Sequence, residues 1–449
     1  MSIYKDCDIR GIYQKEITAQ DANRIGHALA ALLDGRRILV GGDVRLSTPE
    51  LKNALIDGLI ASGAQVTDLG TIPTPALYYA IKRLNAYAGA TVTASHNPPE
   101  YNGIKFMLGD QPVTRETIDR VRDIALRGDY PTGRGTIDHW DAAADYMDFL
   151  SRRFHIAKPL HVLIDAGNGA MSAVAPEVFR RAGCRVTELF CTPDGAFPNR
   201  SPNPADYTCL TAAGAAVRAC GADFGVAFDG DGDRAVFLNE RGEPVQNEKS
   251  FSLFIRAALA DHPAPVVYDQ KSSSIVRDTV LEMGGTPLPE RSGHAFIKRR
   301  FLEHHAAVAG EVSGHFFFGE LGYDDGLFAA LYMAELLSQS EKTLGELTDA
   351  IRIPPITPDL RYFCPYDRQE ECLRRAEHMA AEGCAQISRM DGVRADFGDS
   401  WFLIRKSVTA EQITLRAEAR TQDQLNALVQ RILSALPGDV RRANDLQIR

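Results

Sequence analysis

The sequence predicts three α/β units with mixed, largely parallel sheets, followed by an α+β unit with an antiparallel sheet. Three observations carry this. As far as Ile356, short β-branched apolar runs alternate with stretches whose apolar residues recur at helical spacing, the pattern of parallel strands covered by helices. Beyond Pro358, strand-like runs follow one another directly, which marks an antiparallel sheet. Finally, 449 residues exceed what one core holds, and at roughly 100–200 residues per domain they divide into about three or four.

In chain order, Ile25, Ala28, Leu29, Leu32 and Leu33 mark a helix over Asp21–Leu33 that Gly35 stops. Arg37–Val40 reads as a strand, Leu51–Ala61 as a helix, and Val66–Leu69 and Gly89–Val92 as further strands. A polar then basic helical stretch before Pro159 closes the first unit. Val162–Asp165, the loop Gly167-Asn168-Gly169 and a helix over Ala173–Ala182 open the second. In the third, Val266–Asp269 is a strand and Ile275–Met283 a helix. The fourth orders as strand Leu360–Phe363, helix Arg368–Glu382, strands Gly392–Phe397, Trp401–Arg405 and Gln412–Glu418, and helix Gln422–Leu436. The expected domains are residues 1–155, 156–250, 251–357 and 358–449.

Composition narrows the function. Hydrophobic content of 45% and charged content of 24% are those of a soluble globular protein. No apolar run approaches the roughly 18 residues that span a bilayer, and the first ten residues lack a signal-peptide core. A cytoplasmic protein with no membrane partner is expected. The 59 acidic against 50 basic residues give a net charge of −9, which leaves no excess to neutralise nucleic-acid phosphates. A small phosphorylated ligand needs only a local basic pocket. The eight cysteines contain no Cys-x-x-Cys pair and read as reduced thiols.

Four stretches carry chemistry. The run Thr93-Ala94-Ser95-His96-Asn97-Pro98-Pro99 breaks a buried strand on a rigid bend, because Asn-Pro favours a turn. Ser95 is expected there with its hydroxyl held outward, as a nucleophile or phosphate carrier. Asn102-Gly103 reads as a second tight turn. Next, Phe224–Phe228 runs into Asp229-Gly230-Asp231-Gly232-Asp233-Arg234. Three carboxylates at alternate positions repel one another unless they converge on a hard cation, and Mg²⁺ takes such oxygens together with substrate phosphates. An EF-hand is excluded because its sixth position, a glycine, is Arg234 here, and because the flanks read as strands. In Glu311-Val312-Ser313-Gly314-His315, a glutamate and a serine two residues apart face the same way and suit sugar hydroxyls. Arg405-Lys406-Ser407-Val408-Thr409 offers a charged fork and hydroxyls to a phosphate.

These stretches together resemble the α-D-phosphohexomutases, and most of all their bacterial phosphomannomutase/phosphoglucomutase branch. The resemblance covers most of the chain. It implies four domains around one cleft and a phosphoserine at Ser95, flanked by His96. Mg²⁺ would sit on Asp229, Asp231 and Asp233 with an oxygen of Ser95. Arg10 and Arg234 would balance charge beside it. It implies sugar recognition by Glu311 and Ser313, substrate contacts at Lys271 and His294, and phosphate held by Arg405, Ser407 and Thr409. Here the sequence departs from the family loop, with Val408 for Asn or Gly and Glu411 for Pro. Lys105 or His315 would handle the hydroxyl proton, and a lysine base requires a depressed pKa, which nearby arginines would supply. The implied reaction interconverts hexose 1- and 6-phosphates of mannose or glucose, with a hexose 1,6-bisphosphate as intermediate and activator, in a monomer or small homo-oligomer. A phosphoglucosamine mutase and a non-catalytic phosphosugar-binding protein are the alternatives. A serine hydrolase lacks Gly-x-Ser-x-Gly and gives the three aspartates no role.

Overall fold

The structure, a computed structural model, describes residues 3–109, 111–383, 385–407 and 411–440. Among them the strands form four sheets. The first unit runs β1 (Ile9–Ile12), α1 (Ala19–Leu33), β2 (Ile38–Gly42), α2 (Thr48–Ala61), β3 (Gln65–Thr71), α3 (Thr74–Arg83), β4 (Ala88–Val92), β5 (Tyr101–Leu108), α4 (Arg115–Arg127), β6 (Thr136–His139) and α5 (Ala142–Arg153). Its sheet has the order β1-β5-β4-β2-β3-β6. β2 lies parallel to β3 and β4, and β3 to β6, while β5 runs antiparallel between β4 and β1. A capping box of Thr18 and Asp21 starts α1. Asn102-Gly103, expected as a turn, lies inside β5. The glycine serves close approach instead, since a Cβ on Gly103 would sit 2.2 Å from the Ile9 carbonyl oxygen on β1.

The second unit holds β7 (His161–Asp165), α6 (Ala175–Arg181), β8 (Arg185–Leu189), α7 (Thr211–Cys220), β9 (Phe224–Phe228) and β10 (Ala235–Leu238). Its order is β10-β9-β7-β8, parallel except for the β9–β10 hairpin that flanks the aspartate loop. The third holds α8 (Asn247–Ala258), β11 (Pro265–Asp269), α9 (Ser274–Glu282), β12 (Thr286–Glu290), α10 (His294–Glu303), β13 (Val308–Gly310), β14 (Phe316–Phe318), β15 (Tyr323–Asp324), α11 (Gly326–Gln339) and α12 (Leu344–Asp349). Its sheet, β12-β11-β13-β14-β15, is parallel at β12-β11-β13 and antiparallel beyond. The fourth holds β16 (Leu360–Phe363), α13 (Tyr366–Glu382), β17 (Gln386–Ser388), β18 (Val393–Asp396), β19 (Ser400–Lys406), β20 (Gln412–Ala419) and α14 (Gln422–Ala435), with the wholly antiparallel order β16-β20-β19-β18-β17.

One apolar core runs through the first three sheets, from Leu39 and Tyr79 through Phe154 and Phe179 to Phe254, Phe316 and Phe328. The fourth sheet has its own, built on Cys372, Ala376, Phe402, Leu415 and Ile432. It meets the third unit through polar groups. Arg416 pairs with Glu248 at 2.9 Å, Lys271 with Asp359 at 3.2 Å and Arg277 with Asp396 at 3.5 Å. No helix among the described residues is long and apolar enough to cross a membrane.

Candidate active site

Ser95 follows β4 on a bend, as expected, with the Asn97 amide donating to the Ala94 carbonyl at 3.0 Å. Its φ of +50° lies in the left-handed region, which costs a serine roughly 1–2 kcal/mol. The Thr93 hydroxyl accepts from the Ser95 amide at 2.9 Å and helps to hold it there. The side chain does not face solvent. Ser95 is 1% exposed, and its Oγ donates to Oδ2 of Asp229 at 2.7 Å. The aspartate loop packs against the serine loop so closely that a Cβ on Gly230 would lie 2.4 Å from the Ser95 carbonyl oxygen. Only glycine permits that distance.

Asp229, Asp231 and Asp233 are fully buried. Asp229 Oδ1 accepts from the amides of Gly232 and Arg234 at 2.9 and 3.2 Å. Lys105 on β5 reaches between the other two, its Nζ 2.8 Å from Asp231 Oδ2 and 2.7 Å from Asp233 Oδ2. Thr74, at the start of α3, donates to Asp231 Oδ2 at 2.6 Å. Oδ1 of Asp231 and of Asp233 are buried without a hydrogen-bond partner, and one oxygen from each of the three aspartates falls within 4.8 Å of the others. Unsatisfied hard oxygen donors converging in this way fit a divalent cation. Burial and its two acidic neighbours push the Asp229 carboxyl well above the usual range. Burial acts on Asp233 in the same sense, but Lys105, His315 and Arg234 together outweigh it and hold the carboxyl well below that range.

Lys105 departs from expectation. Burial opposes its charge, yet Asp231 and Asp233 overcome burial and hold the ammonium well above its ordinary value. The arginines that were to depress it do not touch it, whereas the two carboxylates do.

His315, at the start of the β14 hairpin, donates or accepts at both ring nitrogens. Arg234 Nε, which can only donate, lies 2.9 Å from Nε2. Nε2 therefore accepts, and Nδ1 carries the proton toward Asp324 Oδ2 at 2.7 Å. Burial lowers the His315 pKa, but Asp233 and the Asp324 hydrogen bond bring it above the ordinary value. His294 stacks on it with ring centroids 5.8 Å apart, and burial brings its pKa down to about 4. His96 Nδ1 lies 3.3 Å from Ser95 Oγ, and the Arg234 charge and burial keep it neutral. Arg10 donates to Asn97 Oδ1 at 2.6 Å and pairs with Asp8 at 2.5 Å.

Ser95, Lys105, Arg10, Arg234, His294, His315 and Arg405 line one cleft of about 950 Å³, to which all four sheets contribute. Several of the expected residues are already engaged by protein partners. Glu311 is buried, with Oε1 accepting from the Gly293 amide at 2.7 Å and Oε2 from Ser313 Oγ at 3.1 Å. The two side chains therefore bond each other. Lys271 is paired with Asp359. Arg405 NH1 pairs with Asp391 at 2.9 Å, and the Ser407 amide donates to the Gln412 carbonyl at 2.9 Å. Val408 and Thr409 lie outside the described residues. Sequence reasoning missed Thr74, Asp324 and Asp391, and passed over Arg45. Their only local signals are a Pro-Thr-Pro helix start, an Asp-Asp-Gly helix start, an Asp-Gly turn and an Asp-x-Arg at a strand end.

Sequence models of the phosphoglucomutase/phosphomannomutase family match the chain in three pieces: alpha/beta/alpha domain I over residues 1–131, domain II over 144–242 and domain III over 247–352. The phosphomannomutase/phosphoglucomutase of Pseudomonas aeruginosa is 35% identical over 433 residues, covering 95% of this chain and 94% of that protein. The phosphoglucomutase of Neisseria gonorrhoeae is 36% identical over 447 residues, covering 97% and 96%. The crystal structure of a phosphoglucomutase/phosphomannomutase family protein from Burkholderia thailandensis superposes with a TM-score of 0.91 at 33% identity, covering 97% of this chain and 98% of that one. With an identity above 30% along nearly the whole length, and with the serine and aspartate loops meeting at one cleft, the chain belongs to the phosphoglucomutase/phosphomannomutase family of the α-D-phosphohexomutase superfamily.

Proposed function

We propose that this isomerase interconverts mannose and glucose 1-phosphates with their 6-phosphates, with Ser95 as phosphoryl carrier and the hexose 1,6-bisphosphate as intermediate. The observation that carries the reading is the buried 2.7 Å contact of Ser95 Oγ with Asp229, at the floor of a cleft lined by cationic side chains. Phosphoryl transfer is mainly positioning and charge stabilisation, and the residues divide accordingly. Asp229, Asp231 and Asp233, with an oxygen on Ser95, would hold Mg²⁺, which supplies charge stabilisation to the phosphoryl oxygens. Arg10 and Arg234 add fixed positive charge beside the serine. The reading assigns the four regions 1–155, 156–250, 251–357 and 358–449 one loop each.

In the forward half-reaction the bond between phosphorus and Ser95 Oγ breaks as one forms to the free sugar hydroxyl. His315 Nε2 takes the hydroxyl proton once the substrate displaces Arg234 from it. Lys105, held as an ammonium, gives a proton to the departing Oγ. Lys105 is thus the acid and His315 the base, and the roles reverse after the bisphosphate turns end for end. Glu311 and Ser313 would exchange their mutual hydrogen bond for bonds to sugar hydroxyls, Lys271 would exchange its pair with Asp359 for the substrate beside His294, and Arg405, Ser407 and Thr409 would take the phosphate that is not reacting.

Intact mass and one variant test this. The purified protein, loaded with glucose 1,6-bisphosphate, should be heavier by one phosphoryl group, mapped to Ser95. Ser95→Ala should fold, carry none and lose essentially all mutase turnover. Near-normal turnover by that variant would sink the reading.

A further inference from the structure

We propose that Arg45 is the positioning residue of the Ser95 loop, an inference that rests on Ser95 being the phosphoryl carrier. Arg45 follows the end of β2 and is 1% exposed. Every N–H of its guanidinium is committed. Nε donates to Asp43 Oδ2 at 3.1 Å, NH1 to the carbonyls of Pro98 and Tyr101 at 2.7 and 2.9 Å, and NH2 to those of Ser95 and Asn97 at 2.7 and 2.6 Å. One side chain thus gathers four main-chain oxygens of the loop that carries the reacting hydroxyl. The anchor is built as fully as the fork. Asp43 also accepts from the Arg45 amide at 3.0 Å and from the hydroxyls of Thr48 and Thr93, each at 2.7 Å. Thr93 in turn accepts from the Ser95 amide.

Ser95 needs such a device. Its left-handed backbone is not one that a serine holds unaided, and the carbonyl bound by Arg45 is the one that abuts Gly230 of the aspartate loop. Releasing it would let Oγ drift from Asp229. The partner loop has a similar anchor. Arg200 donates to Asp165 Oδ2 at 2.8 Å and to the Phe228 carbonyl, next to Asp229, at 2.7 Å. A planar guanidinium with five donors meets this task, and an ammonium with three does not.

The test is single-turnover transfer from protein phosphorylated at Ser95 to glucose 1-phosphate, followed by quenching and intact mass. The amplitude counts competent molecules, and the rate constant reports how well the serine is placed. Arg45→Lys keeps the charge against Asp43 but not the four contacts. Its rate constant should fall roughly 30- to 100-fold, while half-saturation by glucose 1-phosphate stays within about threefold. Asp43→Asn, which leaves the fork in place but weakens its anchor, should slow transfer in the same sense by a smaller factor; it decides the matter if Arg45→Lys does not fold. A rate constant within about threefold of the parent, with only the amplitude reduced, would overturn the inference and leave Arg45 a folding residue. Failure of the underlying reading looks different, because then Ser95→Ala retains turnover.

Discussion

Asp325 is a buried carboxyl group with no cation paired to it among the described residues. It caps α11 by accepting from the Phe328 amide at 2.9 Å, and takes the Tyr146 hydroxyl at 3.0 and 2.9 Å. Burial pushes its pKa up to about 7. The native state therefore keeps a proton that the unfolded chain releases, and stability falls as pH rises from about 4 to about 7, by at most ~1.4 kcal/mol per pH unit, and then levels. Asp325→Asn retains an acceptor for both partners and removes the titration. Its melting temperature relative to the parent should improve between pH 5 and pH 8, and an unchanged difference would show that the charged carboxylate is tolerated there. At this scale the sequence was informative about residue types and silent about partners. Ser95 and the three aspartates announce themselves by local pattern. That Lys105 is held as an ammonium depends on two carboxylates more than a hundred residues away, which spacing alone cannot reveal.

Elements were more legible than partners, because periodicity is a local property. Four of the five strands of the fourth sheet fall within a residue or two of expectation, and the aspartate loop does sit in a β-hairpin. Two of the elements that the sequence did not predict show why. α10 is capped by Gly293, whose φ of +125° and lack of a side chain leave no capping signal, and β17 is three residues long. The Asn102-Gly103 pair misled because glycine serves close approach as well as turning. Arg405, near the end of β19, is already engaged by Asp391. A phosphate must displace that carboxylate, yet a charge-assisted hydrogen bond is worth roughly 1.5–3 kcal/mol. Arg405→Ala should therefore cost about tenfold to a few hundredfold in kcat/KM for glucose 1-phosphate. An unchanged kcat/KM would mean that Arg405 has lost its role.

At the scale of the whole molecule, a sugar that turns end for end must be held by hydroxyls that exchange places, which O3 and O4 do. Mannose and glucose differ only at C2, so a cleft reading O3 and O4 discriminates little between them. The kcat/KM values for mannose and glucose 1-phosphates should lie within about tenfold, a step of about 1.4 kcal/mol, with glucosamine 1-phosphate slower. Glucosamine 1-phosphate emerging fastest would reverse this choice. The cleft exists only because four sheets meet, and they do not meet alike. Three share an apolar core, while the fourth is joined to the third across part-buried pairs such as Lys271 with Asp359 and Arg277 with Asp396. Those pairs are part-buried and far closer than the roughly 8 Å over which physiological salt screens charge, so salt weakens them only partly. The arm that carries Arg405 is thus held to its neighbour by directional contacts, whereas the first three units are held by shared apolar area.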